Sequence, residues 1–111
     1  MMARFEVFQV KREKMHDFAF ESFEMAEHFN GVGSVVLDNY RKVGEFDAGD
    51  DIGLDEIFTA CNFRTDKAFS DAGMSNVMYD GHSMSVSDVV KKADGYWYCD
   101  SIGWKKLDWE V

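Results

Sequence analysis

The chain has 111 residues, a formal charge of −9 and a pI near 4.6. That length suits one domain with one core, read here as a single unit over residues 1–111. Ten phenylalanines, four tyrosines and three tryptophans within 46% hydrophobic residues exclude a disordered chain. The negative charge argues against direct nucleic-acid binding, where affinity comes from clustered Lys and Arg.

The first predicted element is a strand in which Phe5, Val7, Phe8 and Val10 fall on both faces, the pattern of a central strand covered on two sides. Phe18-Ala19-Phe20 is read as a short return strand. Ser22 is a suitable N-cap for a helix over residues 22–29 carrying Phe23, Met25, Ala26 and Phe29, with Asn30-Gly31 as its stop. Val35, Val36, Leu37, Tyr40 and Val43 predict another extended segment centred on residues 39–46.

Six carboxylates and no cation then occur between Glu45 and Glu56: Glu45, Asp47, Asp50, Asp51, Asp55 and Glu56. Leu54, Ile57, Phe58 and Cys61 follow the spacing of one apolar helical stripe, predicting a helix over residues 54–61. Asp50, Asp51, Asp55 and Glu56 lie at or before its first turn, where negative charge complements the helix dipole. Residues 64–76 have Phe69 as their one large apolar anchor and read as a loop with one short helical turn.

The last third predicts a three-stranded meander. Val86, Val89 and Val90 are β-branched, Tyr96, Trp97 and Tyr98 are aromatic, and Asp94-Gly95 supplies turn chemistry between them. Gly103 permits a bend before a third strand anchored by Trp104 and Trp109. The fold class is therefore α+β: a mainly antiparallel sheet of five to six strands, with two short helices packed on one face.

His82, Ser83, Ser85, Ser87 and Asp88 contain the residue types of a hydrolase, and a His82/Asp88 enzyme is one reading. A triad needs convergent geometry, however, and neighbouring residues at a turn-to-strand junction project in different directions. No Gly-x-Ser-x-Gly elbow is present, so no catalytic residue is assigned. His16, His28 and His82 are scattered, Cys61 and Cys99 lack close ligand pairs, and the acidic run lacks EF-hand spacing. No metal site or cofactor is expected. Two cysteines and no apolar signal segment indicate buried thiols in a cytoplasmic protein, and no run nears the roughly 20 apolar residues of a membrane span.

Gly81-His82-Ser83-Met84-Ser85-Val86-Ser87-Asp88-Val89-Val90, followed by Tyr98-Cys99-Asp100-Ser101-Ile102-Gly103-Trp104, resembles the signature of the YodL-like domain family. That family pairs a Gly-Arg/His-Ser-Leu-Ser-x-x-Asp-Val-Val element with a tyrosine-rich strand ending in Ser-x-Gly-Phe/Trp. The likeness extends to Arg4-Phe5-Glu6-Val7-Phe8-Gln9-Val10, to Leu54-Asp55-Glu56-Ile57-Phe58 and to Asn62-Phe63. Met84 replaces the usual leucine, and residues 64–77 look longer than the family pattern.

The resemblance implies a small cytoplasmic protein of Gram-positive bacteria, of a kind often carried on phages and conjugative elements, with no catalytic residues to transfer. It makes Gly81, Ser83, Ser85, Asp88, Gly103 and Trp104 a structural motif. The expected function is a non-enzymatic interaction or regulatory protein that binds a bacterial protein, one with a basic surface being a natural partner. Glu45, Asp47, Asp50, Asp51, Trp97 and Trp109 are its candidate contact residues. The alternative is an acidic nucleic-acid mimic that blocks a basic groove on a DNA-processing or defence protein.

Overall fold

The computed structural model describes residues 2–15, 19–30 and 35–109. Six antiparallel strands form one sheet: β1 (Met2–Val10), β2 (Tyr40–Gly49), β3 (Ser75–Tyr79), β4 (Val89–Lys92), β5 (Gly95–Cys99) and β6 (Trp104–Lys106). Their order is β3-β2-β1-β4-β5-β6, so β1 is central as its two-faced hydrophobicity requires, and β4–β6 form the expected meander. The helices are α1 (Phe23–Asn30), α2 (Leu54–Phe63) and α3 (Asp66–Asp71).

The helices do not share a face. Side chains alternate along a strand, and Phe5 and Val7 pack with Ile57, Ala60 and Cys61 of α2 and Phe69 of α3. Phe8 and Val10 point the other way, onto Ala26 and Phe23 of α1 together with Tyr40, Tyr96, Tyr98 and Leu107. The register between β1 and β2 shifts at Val7/Phe8, beside Gly44. The expectation of both helices on one face is thus corrected: a sheet apolar on both sides exposes one hydrophobic surface unless each side is covered.

Local chemistry sets the ends of the helices. The Ser22 hydroxyl accepts the Met25 N–H at 3.2 Å, the capping role its position predicts. Glu56 accepts the Gly53 N–H at 3.2 Å at the start of α2, and Arg64 ends that helix in a left-handed conformation at φ 57°. Thr65 caps α3 by accepting the Ala68 N–H at 3.1 Å. Thr65→Ala is expected to cost about 1 kcal/mol, read as a lower urea midpoint at unchanged slope.

Three local expectations are revised. Phe18 lies outside the described residues, but Ala19 and Phe20 form a turn, with Phe20 at φ 68°, and not a strand. Leu37–Asn39 is a 3₁₀ turn, and β2 starts only at Tyr40. Ser75–Tyr79, read as the end of a loop and its sequel, is the edge strand β3, with a left-handed Asn76 at φ 50°. Cys61 and Cys99 are both buried free thiols.

Candidate functional site

The segment from Asp80 to Asp88 leaves the edge strand β3 and must reach β4 on the far side of β1. Crossing the ends of β2 and β1 buries its peptide groups, and these need partners that no strand ladder supplies. Gln9, on the same face of β1 as Phe5 and Val7, supplies them. It is 1% exposed. Its amide nitrogen donates to the His82 carbonyl at 2.9 Å and to Asp88 Oδ2 at 3.0 Å, while its oxygen accepts the His82 N–H at 3.2 Å. The Tyr79 hydroxyl donates to the same His82 carbonyl at 2.7 Å.

Asp88, also 1% exposed, closes the segment on itself. Its Oδ2 accepts the Ser85 N–H at 3.0 Å, and its own N–H donates to the Ser85 carbonyl at 3.1 Å. Beyond it, the Asp88 carbonyl accepts the Cys99 N–H and the Ser87 N–H donates to the Cys99 carbonyl, which sets the entry into β4 against β5. The Tyr40 hydroxyl donates to the Ser87 carbonyl at 2.6 Å. Burial pushes the Asp88 carboxyl up to about 7, while the Ser85 N–H and the Gln9 amide pull it the other way. Burial likewise raises the Cys61 and Cys99 thiols to about 12, which keeps both as inert thiols.

The remaining motif residues serve the same construction. A Cβ at Gly81 would collide with Gln9 Oε1 and lie 2.8 Å from Val43 Cβ, so glycine is the residue that fits there. Ser83 donates to the Asn62 carbonyl at the end of α2, and Arg64 donates to the Gly81 carbonyl at 3.2 Å. Gly103 holds the bend between β5 and β6 at φ 72°. Trp104 donates to Asp55 Oδ1 at 2.9 Å and sets its ring edge on Phe58, tying β6 to α2. The Ser85 hydroxyl is buried and has no hydrogen-bond partner among the described residues.

The polar side chains of this segment diverge, as the sequence argument expects. Asp88 faces Gln9, Ser87 Oγ accepts the Phe20 N–H, and Ser83 turns to α2. His82 Nδ1 lies 2.7 Å from the Ser83 carbonyl, directed to that group and not to Asp88. Among the described residues no hydrogen bond joins the His82 ring to Asp88; Gln9 stands between them, holding the His82 backbone and the Asp88 carboxylate.

The candidate contact residues are spread over several surfaces. Glu45 and Asp47 sit in a cross-strand array, Arg4 reaching Glu45 at 3.3 Å and Asp47 at 3.0 Å, with Lys42 bridging Glu6 and Glu45. Asn76 adds a hydrogen bond to Asp47 at 2.8 Å, and these partners hold both carboxyls below their ordinary range. Asp50 and Asp51 lie in the turn between β2 and α2. Trp97 is half-buried on β5 between Lys92 and Lys106, its N–H donated to Asp94. Trp109 packs edge-on against Tyr40 and tilted on Tyr96, donating to the Val35 carbonyl.

Gln9 escaped sequence reasoning. The available signal was an amide at the position where alternation with Phe5 and Val7 demands an apolar side chain.

Fold and motif together define an α+β domain in which a signature segment crosses the end of a two-faced sheet. The family model of the YodL-like domain matches residues 4–109, and the chain belongs to that family. No curated protein and no solved structure matches it.

Proposed function

We propose that this YodL-like domain is a non-enzymatic interaction or regulatory module that binds a bacterial protein in the cytoplasm, in the setting of a phage or conjugative element. One observation carries the reading: four side chains at the signature segment, Gln9, Tyr79, Ser83 and Asp88, make hydrogen bonds that hold the chain's own backbone. Large apolar side chains face outward instead, among them Phe63, Met78 and Ile102. The mobile-element setting rests on what the YodL-like resemblance implies, and the buried free thiols support a reducing compartment.

A nucleic-acid mimic needs a continuous row of unopposed carboxylates spaced like phosphates, whereas Glu45 and Asp47, which begin the acidic run, are paired with Arg4 and Lys42. The interaction reading is therefore the better supported of the two. The test is affinity capture from lysate of a Gram-positive host at several salt concentrations. One host protein enriched in stoichiometric amount is expected, and enrichment of nothing at any salt concentration would overturn the reading.

A further inference from the structure

Resting on that interaction reading, we infer that the groove between α2 and α3 is the docking surface and that its occupant is a cationic amphipathic segment of the partner protein. The groove has a volume of about 480 Å³ and an apolar floor of Phe63, Ala68 and Ala72. Phe63 ends α2 with 69% of its surface exposed, although the motif Asn62-Phe63 stands at the junction of the two helices. An aromatic ring left in water beside small alanines forms a concave apolar site open to a side chain from outside.

Charge selects the occupant. Asp55, Glu56 and Asp71 rim the groove, and Asp50 and Asp51 lie just ahead of α2. Lys67 pairs with Asp71 at 2.7 Å and Arg64 is directed to the Gly81 carbonyl, so among the described residues the unopposed charge at the rim is that of Asp55 and Glu56, with Asp50 and Asp51 beside them. Such a rim repels a second copy of this −9 chain, a phosphate backbone and an anionic bilayer. It favours a segment with one or two large apolar side chains flanked by Lys or Arg, laid between the helices as an amphipathic helix lies in a groove. The apolar floor supplies affinity, and the rim supplies the encounter rate and its salt dependence.

The probe is a helical peptide of leucine and lysine titrated into the ¹⁵N-labelled protein, beside a serine/lysine peptide of equal charge and a leucine/glutamate peptide. Saturable amide shifts confined to α2 and α3 are expected for the leucine/lysine peptide alone. Phe63→Ser should weaken them at least about tenfold, whereas Ile102→Ser, at a position 93% exposed in the β5–β6 loop, should leave them unchanged. Shifts centred elsewhere, equal binding of the serine/lysine peptide, or indifference to Phe63→Ser would overturn the inference. Lysate capture separates the two readings: a protein still enriched by Phe63→Ser removes the groove and leaves the interaction module, and no enrichment by the wild type removes the module itself.

Discussion

Gln9→Met is expected to destabilise the protein by about 3 kcal/mol, although methionine matches glutamine closely in length and volume. The loss comes from groups left behind. The His82 N–H loses its acceptor, while the His82 carbonyl and Asp88 Oδ2 each lose one of two donors and keep the Tyr79 hydroxyl and the Ser85 N–H, at a site where Gln9 is 1% exposed. An unsatisfied buried donor costs about 1–3 kcal/mol, and each bond lost from a group that keeps another donor costs about 0.5–1.5 kcal/mol. Urea unfolding should show a lower midpoint at unchanged slope. A loss below about 1 kcal/mol would mean that Gln9 does not hold the segment.

The second large effect is a pH dependence of opposite sign to ordinary acid denaturation. The ordinary carboxyl value for Asp88 is 3.8, and burial raises it to about 7 in the folded protein. Between those values the folded state keeps a proton that the unfolded chain releases, so stability is full below about pH 4, falls as pH rises through the window, and levels off above about pH 7. At about 1.4 kcal/mol per unit, the wild type should lose about 2–3 kcal/mol relative to Asp88→Asn between about pH 5 and about pH 8. The comparison is needed because Glu45, Asp47 and Asp94, all held below their ordinary range, contribute stability that is lost as pH falls. Both proteins carry that term, so it cancels. Parallel pH profiles for the two proteins would refute the assignment.

Much of the architecture is legible because it rests on period and local chemistry. Phe5, Val7, Phe8 and Val10 mark a central strand, Leu54, Ile57 and Cys61 mark α2, and the valine and tyrosine runs mark β4 and β5. Which face receives each helix is harder to read, since α1 and α2 both present an apolar side and only tertiary packing assigns them. Strand β3 escapes for a related reason. Edge position leaves Ser75, Asn76 and Met78 exposed, so burial imposes no hydrophobic alternation, and Asn76 breaks the extended geometry with a positive φ. The turn-fixing role expected of Asp88 was legible from its residue type, but its partner Gln9 on β1 is 79 positions away, and no local pattern links the two.

The sheet order also governs when the fold can form. β1 has β2 on one side and β4 on the other, so a strand that precedes both in the chain waits for residue 89 and beyond before its second neighbour exists. Until then Phe8 and Val10 lack the cover that Val89 and Tyr98 provide. Nascent chains arrested before β4 should therefore remain protease-sensitive and in need of chaperone protection, and acquire resistance in one step once the last hairpin has emerged.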